Sequence, residues 1–573
     1  MPRLLLRLIL VWALLVMLYL PLNTSAYAVG DDRIDVILAN MTTRQKVGQL
    51  FMVSLGGSQL STAQIEFLQE YQPGAIALFS SNVDGKTPEA ITNYINELQF
   101  VITEAEGVPL FIAIDHEGGR VQRLLEGFTH FPEPSIIGAT ADPFIAEAVG
   151  QAMGRELSAV GINFNLAPVA DLHTREDMLN TSRVLNHRTL SQDPQMVGEL
   201  SAALIRGMAQ QGVIGTLKHF PGHAQTDTDT HRDLATVSLD RETALATNIR
   251  AFEVAIHNGA EVVMVGHLYY PAFETEENRP ASLSPIMIDL LRHDLGFEGL
   301  IVTDALDMGA IRNQFSIAEA SVLAFQAGVD MLAMGPNANF SDQKAAMDAV
   351  YNAVESGEIS LVRLDESVRR ILNLKMKYNL LDWQALDSTT TIERMDTAAS
   401  FQTLVQLFEA GITVVHDENN LLPLSPTDNV AIIYPVGKPL FLETCRQFLP
   451  NAIYQSYSWW PYDWEFGATQ AAARRADVAI VIAENIGWNT PQGELVAALP
   501  LEKVIYVSLW KPYEWEYIQA LNPNTLGFIV TYSTSEAAQI ALCRVISGQA
   551  PMRGRLPMAI QGYEVGSGIQ SES

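Results

Sequence analysis

Residues 212–231, GVIGTLKHFPGHAQTDTDTH, carry two patterns back to back. Gly212 to Leu217 is a short apolar run that reads as a buried strand. From Lys218 to His231 the composition turns abruptly to lysine, three histidines, two aspartates, glycine and proline. Charged and titratable groups at the tip of a strand are costly unless paired or used. By itself the segment also reads as a solvated loop. Its neighbours along the chain shift the balance.

Seven further apolar runs, at 49–55, 75–79, 110–114, 162–166, 262–265, 300–302 and 329–333, lie between Asp32 and Trp383. Stretches rich in Ala and Leu separate them, such as 146–159, 196–211 and 318–327, with a helical period. Strands separated by helices call for a parallel sheet. Eight such units predict an α/β fold, a (β/α)8 TIM-like barrel, with a doubly wound sheet as the competing arrangement. Asp115, Asp171, Lys218, His219, His267 and Asp304 fall at or just past the ends of five different runs. One Asp there is ordinary turn chemistry. Five such ends match a barrel enzyme, which gathers its catalytic groups on the face where the strands end.

The chain has 573 residues, too many for one core, and its polar, Thr- and Asp-rich stretch 384–397 reads as a linker. The expected plan is a signal peptide at 1–28, a catalytic barrel at 29–383 and a smaller α/β domain at 398–573. Runs at 412–415, 430–433, 478–482, 504–509 and 526–530 supply that domain's strands. Arg3 and Arg7, the apolar run 8–22 and Ala26-Tyr27-Ala28 have the layout of a secretory signal, so the protein is expected to be exported. An uncleaved anchor is the alternative. The net charge of −29 argues against a nucleic-acid partner. Cys445 and Cys543 are the only cysteines, and two buried thiols are expected, with a single disulfide between them as the alternative.

Asp304 follows the run in GLIVTDALDM (299–308), where a buried strand positions a carboxylate able to attack an electrophilic carbon. Its plain alternative is a helix cap, a role that suits Asp307 better. Asp229 and His231 are two apart, so in an extended loop both side chains project to one side. A carboxylate beside an imidazole fixes its tautomer and leaves it able to donate and then accept a proton. An Asx-turn is the plain alternative. Asp115 precedes Gly118 and Gly119, which allow close approach to a ligand, and Lys218, His219 and Arg188 add donors. His267 belongs either to the site or to the core, and His223 reads as core. A metal held by His219, His223, Asp229 and His231 fits no known spacing and has Lys218 for a neighbour, so no metal is expected. No phosphate loop, nucleophile elbow or dinucleotide fingerprint occurs.

Residues 218–231 resemble the signature of the β-N-acetylglucosaminidase branch of glycoside hydrolase family 3, of the NagZ type. The likeness extends over the barrel in the family's order: DHEGGRVQR (115–123), NFNLAPVAD (163–171), RTLSQDP (188–194), MVGH (264–267), PASLS (280–284) and VTDALDMGAI (302–311). The resemblance implies a retaining exo-hydrolase with Asp304 as nucleophile and His231, paired with Asp229, as acid/base. It implies that Asp115, Arg188, Lys218 and His219 hold the terminal sugar, and Arg120, His267 and Met308 complete the expected substrate-binding set. The substrate it implies is a GlcNAc-containing oligosaccharide or muropeptide, with no cofactor. Membrane contact is expected only through an uncleaved N-terminus. The departures are Ala224 for a usual glycine, and Thr189-Leu190-Ser191 where Ser-Phe-Gly is usual, which leaves loop packing near the site open.

Residues 550–557, APMRGRLP, resemble the close of the family's C-terminal α/β sandwich domain. Other branches draw an acid/base Glu from that domain. Glu484 and Glu494 lie in the right region, but the Asp229/His231 pair makes them redundant, and both read as surface carboxylates. Six of the eight tryptophans lie here, at 459, 460, 464, 488, 510 and 515. Core and interface packing is their expected use, with a glycan-binding surface at 456–464 as the alternative. The competing functions are a family 3 glucosidase or xylosidase, a GlcNAc phosphorylase and a non-catalytic glycan-binding protein.

Overall fold

The computed structural model describes residues 25–174, 185, 188–226, 228–484, 486–487, 490–521 and 523–571. The apolar run of the expected signal peptide lies outside them, and a helix over Ser25–Asn40 follows. Among the described residues no helix is long and apolar enough to cross a membrane.

All eight apolar runs become strands: β1 (Phe51–Ser54), β2 (Ala75–Leu78), β3 (Phe111–Ile114), β4 (Phe164–Asn165), β5 in two pieces (Ile214–Gly215 and Leu217–Phe220), β6 (Val262–Val265), β7 (Leu300–Thr303) and β8 (Leu332–Ala333). Every adjacent pair is parallel, in the order β8-β1-β2-β3-β4-β5 and then β5-β6-β7. A parallel bridge from Val302 to Met331 joins β7 to β8 and closes the ring. Closure rules out the doubly wound arrangement. The strands are buried on both faces, which is why they read as continuous apolar runs rather than alternating ones.

One helix backs each strand: α1 (Thr62–Tyr71), α2 (Pro88–Glu104), α3 (Pro143–Ala159), α4 (Pro194–Ala209), α5 (Asn248–His257), α6 (Pro285–Asp289), α7 (Ile317–Ala327) and α8 (Phe340–Glu355). Their starts are written locally. Ser61, Thr87, Asp142, Asp193, Ser284, Ser316 and Asn339 each accept a backbone N–H of the first turn. Proline follows four of these caps, its fixed φ already suited to the helix. Helix α9 (Leu361–Lys377) ends the barrel segment.

The stretch 384–397 is docked rather than loose. Asn96 exchanges two hydrogen bonds with the Leu386 backbone, and Arg394 donates to the Ala159 carbonyl. Beyond it α10 (Thr397–Gly411) leads into a second sheet of β9 (Thr413–Asp417), β10 (Val430–Pro435), β11 (Ile453–Tyr457), β12 (Val478–Ala483), β13 (Val504–Ser508) and β14 (Gly527–Val530). The order is β9-β14-β13-β12-β10-β11, with β9 antiparallel and the rest parallel. Helices α11 (Pro439–Phe448), α12 (Asp463–Arg475), α13 (Thr490–Ala497), α14 (Glu514–Leu521) and α15 (Glu536–Ile546) cover it. β11 escaped the sequence reading because it is a half-exposed edge strand, Ile-Tyr-Gln-Ser-Tyr, with no apolar run.

The expectation of two free thiols is overturned. Cys445 on α11 and Cys543 on α15 form a disulfide, with Cα atoms 5.1 Å apart where the two helices pack.

Candidate active site

A cavity of about 360 Å³ opens where the barrel strands end. Asp115, Arg188, Lys218, His219, His231, Asp304 and Met308 all line it. Lys218 and His219 lie inside β5 rather than beyond it, because the ladder runs on to Phe220. A buried cation inside a barrel needs anions. Lys218 Nζ lies 2.7 Å from both Asp115 Oδ1 and Glu117 Oε1. Glu117 also receives both arms of Arg188, from Nε and Nη2, at 2.7 Å each. Burial works to raise the Glu117 carboxyl, but Arg188 and Lys218 outweigh it and hold it at about 2. The result is two cations and two carboxylates joined in one array of ion pairs.

Sequence reading missed Glu117, which lies behind the cavity and pairs with its Lys218 and Arg188, although it stands in the quoted motif two positions after Asp115. The period-2 spacing at the end of β3 was the available signal. Arg120 was expected here and is not among the lining residues. A small ribbon pairs His116–Gly118 with Val121–Gln122, and Arg120 sits at its turn. There it meets Glu133, Nε to Oε1 at 3.4 Å, and lies 6.0 Å from the Trp510 ring centroid. Arg123, past the ribbon, reaches the cavity in its place.

The histidines are fixed by their partners. His219 Nδ1 lies 2.7 Å from Asp171 Oδ2, so Nδ1 carries the proton and Nε2 is left to the cavity. Asp171 Oδ1 also accepts the backbone N–H of His223 at 2.6 Å, tying the start of the signature loop to β5. His267 Nε2 is 2.9 Å from the Ala305 carbonyl, which can only accept; the Ser282 hydroxyl therefore donates to Nδ1 across 2.7 Å. His267 thus supports the backbone beside Asp304 and is not among the cavity-lining residues. His223, expected in the core, is buried yet forms part of the wall, with Nε2 3.3 Å from Thr230 Oγ1.

Asp304 follows β7, and its Oδ1 accepts the Ala305 N–H at 2.8 Å. Burial pushes its carboxyl up, and the neighbouring His219 and His267 rings and that N–H pull it further down, so it is held ionised. Asp307, expected to cap the next helix, instead accepts the Gly335 and Asn337 N–H groups at 2.7 and 2.8 Å and fixes the loop after β8.

Asp229 Oδ1 accepts from the His231 Nδ1 and backbone N–H at 2.8 and 3.0 Å; the second bond is the Asx-turn of the alternative reading, so the pair forms on a turn rather than in an extended loop. Burial raises the Asp229 carboxyl, but its bonds to His231 prevail and lower it. With Nδ1 occupied, Nε2 of His231 is the atom available for proton transfer. The ring is about two-thirds exposed, its side chain at 66 %. The backbone beneath it is docked. Gly309 and Ala310 N–H groups donate to the His231 and Thr230 carbonyls, each at 3.1 Å, so the segment after Asp304 holds the loop carrying His231. Glycine is needed at 309, since a Cβ there would lie 2.3 Å from the Arg232 carbonyl oxygen.

The family model described as "Glycosyl hydrolase family 3 N terminal domain" matches residues 42–374, more than half the chain. The chain belongs to glycosyl hydrolase family 3. Within this family it is similar to the Beta-hexosaminidase A of Pseudoalteromonas piscicida, 30% identical over 555 residues that cover 86% of this chain and 90% of that one. A Beta-hexosaminidase of Nitrosomonas eutropha is 30% identical over 331 residues, 56% of this chain and 91% of its own. Among solved structures, a family 3 beta-N-acetylglucosaminidase from Paenibacillus sp. str. FPU-7 is 31% identical, covers 90% of this chain and 98% of its own, and superposes with a TM-score of 0.70. Both full-length likenesses run through the second sheet as well as the barrel, which fits a family 3 protein of two parts.

Among the described residues, the second domain contributes contacts near the barrel mouth but no cavity-lining residue. Tyr513 stacks on His173, and its hydroxyl is 3.2 Å from Nε2. Ser191 donates to the Pro557 carbonyl at 2.7 Å, so the departing Thr-Leu-Ser segment packs against the chain's end. Glu484 is buried, not on the surface as expected, and accepts the Trp510 indole N–H at 2.6 Å. Glu494 is exposed, as read from sequence. Trp488 lies outside the described residues.

Proposed function

We propose that this family 3 protein is a retaining, exo-acting β-hexosaminidase that releases terminal N-acetylglucosamine, with Asp304 as nucleophile and His231 as acid/base. The observation that carries this reading is that Asp304 and His231 border the same cavity as Asp115, Lys218 and Arg188, whose ion pairs run through the buried Glu117 behind them. A closed array of hydrogen-bonding charges at the end of a cavity suits a single sugar ring and its hydroxyls.

Chemistry follows from the protonation states. The Asp304 carboxylate attacks the anomeric carbon while His231 Nε2–H protonates the leaving oxygen. The glycosidic C–O bond breaks as the bond to Asp304 forms. Neutral His231 then takes a proton from water, whose oxygen attacks the anomeric carbon and expels Asp304, restoring both groups and the configuration. Asp229 keeps the imidazole in one tautomer throughout. Lys218 and Arg188 donate to sugar hydroxyls, Asp115 and His219 Nε2 accept from them, and Met308 packs on an apolar edge. The step needs no cofactor.

Export to the cell envelope, with cell-wall or chitin-derived fragments as natural substrates, completes the reading. The signal-like N-terminus and the Cys445–Cys543 disulfide support it, since disulfides persist in oxidising compartments. The test is a panel of nitrophenyl glycosides followed by proton NMR of the released sugar. The acetamido-glucoside should be cleaved at least about tenfold faster than the glucoside or xyloside, a margin one well-placed polar contact supplies. The first product should be the β-anomer, at equal rate with or without phosphate. Preference for the glucoside, or sugar phosphate as product, overturns it.

A further inference from the structure

The catalytic reading leaves unused an aromatic loop far along the chain. From the end of β11 into the first turn of α12 runs Ser458-Trp459-Trp460-Pro461-Tyr462-Asp463-Trp464. Trp460, Tyr462 and Trp464 are 61, 64 and 69 % exposed. Three large rings within five residues on the surface are costly to solubility unless something covers them. Core packing, the expected use of these tryptophans, is not theirs.

The loop is built to hold its shape. Glu465 is buried, and its Oε1 accepts the Ser458 N–H and hydroxyl at 2.8 and 3.0 Å while Oε2 accepts the Tyr462 N–H at 2.7 Å. Pro461 fixes φ in the middle of the loop. Gln492 Nε2 donates to the Trp459 carbonyl at 3.2 Å, and its Oε1 accepts the Glu484 N–H at 3.0 Å. Glu484 in turn holds Trp510, over which Arg120 of the barrel lies. A chain of contacts therefore leads from the ribbon at the barrel mouth to the aromatic loop.

From this we infer that the loop is a second, non-catalytic glycan-binding platform for a β-linked polymer rich in N-acetylglucosamine; the choice of sugar rests on the hexosaminidase reading. Equatorially substituted pyranoses present flat C–H faces that stack on indole and phenol rings, and a preformed platform loses little freedom on binding. Charge selects against other occupants. Residues 456–465 contain no Lys or Arg, only Asp463 and the internally committed Glu465, and the chain carries −29 overall. Nucleic acid and anionic lipid would find no cation within that stretch, whereas an uncharged polysaccharide meets no penalty.

The test is retention of the full chain on colloidal chitin. The wild type should be retained even with free N-acetylglucosamine in excess to fill the catalytic cavity. Trp460→Ala/Tyr462→Ala/Trp464→Ala should weaken retention about tenfold or more, with turnover of the soluble acetamido-glucoside unchanged within about twofold, since none of the three lines the cavity. Loss of wild-type retention on adding N-acetylglucosamine overturns the proposal, as does undiminished retention of the triple variant. Binding to neutral phosphatidylcholine vesicles in place of chitin, or dimers by light scattering that only the variant lacks, would assign the rings to a membrane or a second copy and equally overturn it. Single substitutions Trp460→Ala and Trp464→Ala, each with an unchanged melting temperature, guard against a folding defect. Absence of acetamido-glucoside turnover in the wild type would count against the catalytic reading, not the platform.

Discussion

Both parallel sheets of this molecule end in buried carboxylates, yet the two ends are opposite in charge logic. At the barrel mouth Glu117 faces Lys218 and Arg188 and stays ionised, held at about 2. In the second sheet, Glu514 accepts from the Tyr506 hydroxyl at 2.6 Å and the Ile486 N–H at 3.1 Å, and burial outweighs these bonds and the charge of Lys511 and pushes it up to about 7. Glu484 beside it is likewise raised by burial. Compensated charge borders a cavity large enough for a sugar, while uncompensated acid is sealed under Trp510 and Tyr506. On the proposed mechanism, substrate chemistry belongs to the first kind of end and scaffolding to the second.

The sharpest way to break that contrast is to remove the reacting groups. Asp304→Ala should lower kcat for the acetamido-glucoside by about 10³-fold or more, and His231→Ala by roughly 10²–10⁴-fold, as steady-state kinetics would record. Glu484→Gln should leave it unchanged within about twofold. A large loss from Glu484→Gln would move the acid/base to the second sheet.

Next in size is Glu117→Gln. It leaves Arg188 and Lys218 short of a buried anion and should cost about 3–5 kcal/mol in urea unfolding, together with activity. The wild-type carboxyl sits below its ordinary 4.5, so its stabilisation is full above that pH and fades as pH falls toward about 2.

Glu514 has the opposite sign. Its folded value, about 7, lies above 4.5, so stability is full below pH 4.5 and declines as pH rises toward 7, by about 3 kcal/mol in all. Glu514→Gln should flatten that stretch of the stability–pH curve and leave the variant the more stable above pH 7. A parallel pair of curves would show that Glu514 ionises in the folded protein at its ordinary pH.

The smallest effect is expected at Arg120. Half-exposed on Glu133 and Trp510, it should tolerate Ala with less than about 1 kcal/mol lost and KM unchanged within about twofold. A tenfold rise in KM would return it to the substrate-binding set.

These contrasts also explain what could be read in advance. The eight barrel strands were legible because burial on both faces forces apolar runs, and Asp229 and His231 because a two-residue spacing fixes their contact. Arg123 rather than Arg120 reaches the cavity because the ribbon turn at Gly119 redirects the chain, and no periodicity announces that. Asp307 holds Gly335 and Asn337 rather than its own helix, a contact made only when the ring closes. The Cys445–Cys543 pair is 98 residues apart in sequence and is set by how α11 meets α15. Exposure of Trp460 and Trp464 was hidden for the same reason: an aromatic ring has one composition and two possible surroundings.

Trapping the intermediate addresses the chemistry itself. Incubation with a 2-acetamido-2-deoxy-5-fluoro-glycoside, proteolysis and mass spectrometry should find one sugar bonded to the peptide containing Asp304, and none in Asp304→Ala. An adduct on another carboxylate, or inactivation-free turnover through an oxazoline with no adduct anywhere, would contradict a glycosyl-enzyme at Asp304.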